Sequence, residues 1–152
     1  MRWEESARAV TVNVRVGSVL PLMRSATGRV FLTWLQPAAA ADLLAREKAP
    51  PKQVESMRRT TRQRGLGCVE GDLLPGIASL SAPVFNHQGN LVAAISTLGP
   101  QGDFDIDPNG RIGKTLKAAA DGLSERLGWR QTLNTALNGN ARKAPEIEAV
   151  RK

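Results

Sequence analysis

Residues 79–100 read SLSAPVFNHQGNLVAAISTLGP, and no other stretch narrows the fold as much. Two runs of small and branched apolar residues flank a polar break over residues 86–90. Such runs, bounded by a short segment containing glycine, are the pattern of an antiparallel hairpin. A three-residue loop with Gly89 in the left-handed region pairs Asn86 with Asn90, giving strands over 77–85 and 91–98. Ser79, Ser81, Ser96 and Thr97 lie inside those strands, more hydroxyls than a ribbon needs merely to fill a core.

The rest of the chain supplies what such a hairpin packs against. VTVNVRV, residues 10–16, alternates apolar and polar side chains with the period of a half-buried strand. Ser25 is placed to cap a helix running to Leu35, with Val30, Phe31, Trp34 and Leu35 at helical spacing. Gly28 inside that helix points to a close approach by other backbone or by a ligand, because glycine costs about 1 kcal/mol there relative to alanine. Pro37 opens a second helix. A third follows over 52–64 after Pro50-Pro51, with Val54, Met57 and Thr61 inward and its arginines outward. LGCVEGD reads as a short strand entering a turn at Gly71-Asp72. Asp107-Pro108 starts a last helix over 108–127, with Ile112, Leu116, Ala119, Leu123 and Leu127 on one face. Strand, three helices, strand, hairpin and helix give an α/β (α+β) fold, an antiparallel sheet flanked by helices and not a doubly wound one. Residues 130–152 lose periodicity and are expected to form a mobile tail after a domain at 1–129.

Chemistry is scarce. His87 is the only histidine and sits at the hairpin tip; Cys68 is the only cysteine, with no base among its neighbours. Asp103, Asp105 and Asp107 alternate as at the start of an EF-hand loop. The required glycine and distal glutamate do not follow, so a turn and helix-start role is expected. With no phosphate-binding or dinucleotide motif, the expectation is no catalytic residue, no metal and no cofactor. The first residues lack an apolar signal core and no run is long enough to span a bilayer, so the expected setting is cytoplasmic, without membrane contact. The net charge of +7 is concentrated in two places. Residues 46–64 carry seven Lys/Arg against two Glu, and residues 126–152 carry six against two. A polyanion site is one reading of that charge and a solvated helix face plus charged tail is the other.

Two blocks carry a family resemblance. GSVLPLMRSATGRVFLTWL, residues 17–35, and RRTTRQRGLGCVEGDLLPGIASLSAPVFNHQGNLVAAISTLGP, residues 58–100, resemble the effector-binding region of the IclR family of bacterial transcriptional regulators. The resemblance runs from about residue 10 to 127. It implies a GAF-like domain joined to an N-terminal winged helix-turn-helix and working as a homodimer or tetramer. This sequence starts near the second or third strand of such a domain. DNA contact is therefore expected only through a reader domain outside it.

The resemblance also implies a site for a small organic or aromatic acid. Ala26 and Thr27 fall where the family offers backbone amides at a helix N-terminus, a setting that favours anions. Ser79 and Ser96 fall on ligand-bonding positions, and Val12, Leu20 and Ile77 on apolar walls. Val69 stands where an aspartate is common, with Glu70 adjacent to offer a carboxylate in its place, and Leu98 stands where a serine is common. Those exchanges imply an acid with an apolar, aromatic or branched body rather than glyoxylate. The family pocket needs Ser79 and Ser96 on one face, whereas an unbroken ladder from Asn86-Asn90 sets Ser79 opposite Thr97. A bulge near Ala82-Pro83 is therefore expected, with Ser81 a bystander. Two other classes are an enzyme on a GAF-like fold, such as a thiol-based sulfoxide reductase, and a basic nucleic-acid module at 52–64. The first needs a second cysteine; the second lacks stacking aromatics.

Overall fold

A computed structural model describes residue 17 and residues 19–130; the strand expected over 10–16, its wall residue Val12 and the expected tail beyond residue 130 lie outside the described residues. The order is α1 (Ala26–Trp34), α2 (Pro37–Glu47), α3 (Pro51–Arg64), β1 (Gly67–Glu70), β2 (Ile77–Phe85), β3 (Leu91–Pro100) and α4 (Arg111–Arg126). The strands form one antiparallel sheet in the order β1-β2-β3. Helix α1 packs across one face with α3 behind it, and α4 covers the other face. None of the described helices is long and apolar enough to cross a membrane.

The hairpin turns as its sequence requires. Asn86 N–H donates to Asn90 O at 3.0 Å, the Asn86 carboxamide oxygen accepts from the amides of Gln88 and Asn90, and Gly89 sits at φ +76°. The bulge is present but lies elsewhere. Val84 pairs with Ala93 and Phe85 with Leu91, so the extra residue is Val92 in β3, while Pro83 pairs regularly with Ala94. Proline needs no disruption there, since a half-exposed ladder position tolerates its missing N–H. The shift sets Ser79 opposite Leu98 and Ser81 opposite Ser96, so all four share a face.

Helix α1 starts where expected. Ser25 Oγ accepts from Gly28 N–H at 2.9 Å and donates to Pro21 O at 2.7 Å. Its buried side is Ala26, Gly28, Val30, Leu32 and Thr33, whereas Phe31, Trp34 and Leu35 are half-buried. The inward side is small because the helix lies close to its neighbours. A Cβ on Gly28 would fall 2.5 Å from Leu22 Cα, and one on Gly67 would overlap the Ala26 carbonyl oxygen. Backbone approach therefore accounts for Gly28. At the far end Arg58 Nε donates to Leu32 O at 2.7 Å and Arg62 Nη2 to Thr33 O at 2.9 Å. These α3 arginines satisfy carbonyls that a helix end leaves open and place positive charge on the negative end of its dipole.

The opposite face is a packed core. Leu80, Ala82 and Val84, each fully buried, meet Leu116 and Ala120 of α4, with Leu66 and Cys68 alongside. The helix begins at Arg111, later than Pro108, because Asp105 and Asp107 carboxylates accept the amides of Asp107 and Asn109 and hold the chain in turns. It presents Gly113, Leu116, Ala120 and Ser124 to the sheet, and the expected Ile112 and Leu123 pack against the same core; of the expected face only Ala119 and Leu127, the latter 42% exposed, turn outward. Ser124 Oγ accepts from Phe85 N–H at 3.0 Å, tying the helix to the strand end. That contact is long-range and adds a buried serine to the face that the apolar spacing marks.

Candidate ligand site at the start of helix α1

On the α1 side the three strands present two cross-strand rows. Gly67, Ser81 and Ser96 form one; Val69, Ser79 and Leu98 form the next. The rows lie roughly 7 Å apart, two residues along each strand. Above them sits the first turn of α1, and between helix and sheet lies a cavity of about 190 Å³. Leu20, Ser25, Ala26, Thr27, Val69, Leu73, Leu74, Ile77, Ser79, Ser96 and Leu98 line it. Small side chains in the rows leave the room. Val69 and Ala26 are buried, whereas Leu74 and Leu98 are partly exposed at the rim.

Most residues singled out in the sequence meet here: Ala26, Thr27, Leu20, Val69, Ile77, Ser79, Ser96 and Leu98. Glu70 does not. It pairs with Ala78, which faces α4, so Glu70 is exposed on the wrong side of the sheet and cannot replace an aspartate at position 69. One step along a strand reverses the face, which is the physical reason for the correction. Ser25, Leu73 and Leu74 were missed. Ser25 reads as a cap alone, and the leucines sit in a turn, LLPG, whose sequence gives no sign that it folds over a cavity.

That turn is held by arginines. Arg24 Nε and Nη2 donate to Asp72 O, and Arg29 Nη2 forms a 2.7 Å ion pair with Asp72 Oδ2. Arg29 also donates to Met23 O and Cys68 O, so one guanidinium joins the start of α1, β1 and the turn. The Glu47 carboxylate at the end of α2 accepts the amides of Leu22 and Met23. Among the described residues, no acceptor is paired with the amides of Ala26 and Thr27. The first turn thus keeps two donors and the positive end of its dipole beside the cavity. Thr27 Oγ1 and Ser96 Oγ lie 2.8 Å apart, and Ser96 Oγ donates to the buried Ser81 Oγ at 2.9 Å. Ser81 does not line the cavity, yet it fixes the serine that does. No hydrogen bond within the described structure engages Ser79 Oγ.

Other features have internal roles. Burial pushes the Cys68 thiol up, against a hydrogen bond and charge from Arg64 that pull it down, so it stays protonated and unreactive at neutral pH. Two larger clefts flank α3 and the α2–α3 connection, but their Arg24, Arg29 and Glu47 are already bonded within the chain. Trp34 meets Phe85 edge-on at 6.2 Å between ring centroids, and Phe85 meets Trp129 at 5.2 Å.

Residues 2–125 match the family described as bacterial transcriptional regulator IclR C-terminal. The chain is 30% identical over 137 residues to the uncharacterized HTH-type transcriptional regulator RhmR of Escherichia coli, covering 83% of this chain and 52% of RhmR. It superposes on Pseudomonas aeruginosa HmgR with a TM-score of 0.75 at 38% identity, over 84% of this chain and 54% of that one. On the Agrobacterium tumefaciens repressor BlcR the values are 0.66 and 26%, over 77% and 51%. The chain spans about half the length of the curated relatives it matches. The curated relatives are transcriptional regulators, not enzymes, and the HmgR structure shares the mixed helical and antiparallel architecture found here. The chain therefore belongs to the IclR family of bacterial transcriptional regulators, and residues 2–125 are that family's C-terminal, effector-binding domain.

Proposed function

We propose that the cavity at the start of α1 binds a small organic acid, and that this binding is the signal the domain reports. The observation that carries the reading is two amides at a helix N-terminus, unpaired among the described residues, opening onto an otherwise largely apolar hollow. The amides and dipole favour a carboxylate, while Leu20, Val69, Ile77 and Leu98 favour an apolar body. Size supports a single ring or a branched chain: a cavity of roughly 150 Å³ accepts one benzene ring, and this one measures about 190 Å³. With Val69 and Leu98 offering no hydrogen bond, a ligand as polar throughout as glyoxylate leaves its oxygens unmatched, at about 1–3 kcal/mol each. Isothermal titration calorimetry tests this directly. Benzoate is expected to bind more tightly than glyoxylate, and the reverse order overturns the choice of ligand.

The regulatory step follows from linkage. An acid that prefers one arrangement of subunits shifts the population toward it, and so alters the spacing of winged helix-turn-helix readers N-terminal to this domain. The assembly proposed is a homodimer or tetramer. Sedimentation with and without saturating benzoate, on the chain extended through its reader domain, is expected to show a change in assembly or in operator affinity. A nucleic-acid role for α3 is disfavoured because Arg58 and Arg62 are engaged with α1 carbonyls.

A further inference from the structure

The hydroxyls beside the cavity have a fixed polarity. A serine or threonine hydroxyl carries one proton and two acceptor lone pairs. Ser96 Oγ donates to Ser81 Oγ, so its single proton points away from Thr27. The 2.8 Å contact between Thr27 and Ser96 must then use the proton of Thr27. Ser81 is fully buried and anchors the inner end of this chain of three, whereas Ser96 and Thr27 open toward the cavity. Thr27 Oγ1 is left with lone pairs alone to offer, on the same residue whose amide is free for an anion.

We propose, resting on the acid-binding reading above, that the preferred ligand bears a hydrogen-bond donor on the carbon next to its carboxylate: a 2-hydroxy acid. With the carboxylate on the amides of Ala26 and Thr27, that carbon lies beside Thr27 Oγ1. A hydroxyl there donates to the waiting lone pair. A methylene leaves the acceptor unmatched, and a keto oxygen sets lone pair against lone pair. The free hydroxyl of Ser79, one row away, turns to donate or accept and so does not discriminate. Thr27 is thereby the specificity-determining residue and Ser81, through Ser96, the residue that sets its polarity.

Three single-ring acids that differ only at that carbon test it: mandelate, phenylacetate and phenylglyoxylate, titrated by calorimetry into the chain. The expected order is mandelate, then phenylacetate, then phenylglyoxylate, with mandelate about fivefold to tenfold tighter than phenylacetate, the worth of one net hydrogen bond. Thr27→Val, which keeps the shape and the amide, is expected to erase the mandelate advantage, so that mandelate no longer binds more tightly than phenylacetate. Ser81→Ala frees the Ser96 proton to turn toward Thr27 and the Thr27 proton to turn toward the ligand. It is expected to shift preference toward phenylglyoxylate, whereas a purely structural role for Ser81 would weaken all three alike. Equal affinities in the unmodified chain, or a phenylglyoxylate preference there, overturn the inference while leaving the acid site standing. No heat with any of the three or with benzoate removes the acid site itself and this inference with it.

Discussion

Alternate residues of the same strand build two different surfaces. Toward α4, β2 presents Ala78, Leu80, Ala82 and Val84, all buried, and the helix meets them with Leu116 and Ala120 in direct apolar contact. Toward α1 the same strand presents Ile77, Ser79 and Ser81, flanked by Gly67, Val69, Ser96 and Leu98, and here the helix end stands over a cavity. One side fills its space with branched carbon; the other keeps hydroxyls and a glycine, and keeps the space. The difference locates the division of labour: stability resides largely on the α4 face, and the opposite face carries the binding hollow. Substitutions at neighbouring positions should therefore have effects of unlike kind.

Leu80→Ala is the strongest way to break the packed side. The leucine is fully buried in the core cluster, and such truncations cost about 2–5 kcal/mol because the cavity collapses only partly. Urea or thermal unfolding is expected to show that loss, with acid affinity little changed wherever the variant remains folded. A destabilised but binding-competent protein would support the division; an equal loss of binding would mean that the two faces are not separable.

Gly67→Ala attacks the boundary between them. Its Cβ would overlap the Ala26 carbonyl oxygen, which is backbone and cannot swing aside, so the first turn of α1 must lift from the sheet. Overpacking of this kind costs about 1–3 kcal/mol. Here it should also remove acid binding, because the amides of Ala26 and Thr27 move with the turn. Ser79→Leu is the mirror of the Leu80 change, filling space rather than opening it. Its expected stability effect is under about 1 kcal/mol, since the site is a pre-existing hollow, but acid binding measured by calorimetry should fall at least tenfold.

How much of this was legible depended on the range of the interaction. The Ser25 cap, the Asn86–Asn90 loop, the start of α2 at Pro37 and the span of α3 follow from neighbours within a few residues, and the structure agrees with them to within a residue. The position of the bulge does not. Sequence placed it at Pro83 because proline cannot donate, whereas it lies at Val92, where the ladder meets the loop. The face of α4 was read in part: Ile112, Leu116 and Leu123 meet the core as expected, while Ser124, bonded to Phe85 N–H, is buried where the apolar spacing gives no sign of it. The family resemblance, not residue type alone, pointed to eight of the residues that line the cavity. Glu70 failed because its side depends on register, and the arginine anchors failed because Arg58 and Arg62 reach carbonyls far away in sequence.

The smallest effect lies on the solvent side of α4, where the packed face should tolerate change. Asp121 has a raised carboxyl pKa, first because it is partly buried, then because Glu125 stands one turn away, with Lys117 opposing. The sign follows from linkage: a carboxyl that holds its proton more tightly in the folded chain than in the unfolded one makes the native state more stable as pH falls through that window, and less stable as pH rises out of it. Asp121→Asn removes the charge. The variant is expected to gain a small amount at neutral pH, less than about 0.5 kcal/mol for one like-charge neighbour on an exposed helix face. The gain should shrink as pH is lowered toward the ordinary carboxylate range and as salt is added. Thermal melts across pH at two salt concentrations measure it. A loss of stability instead, or a change in acid binding, would mean that the outer side of α4 is coupled to the hollow across the sheet, against the separation drawn between the two faces.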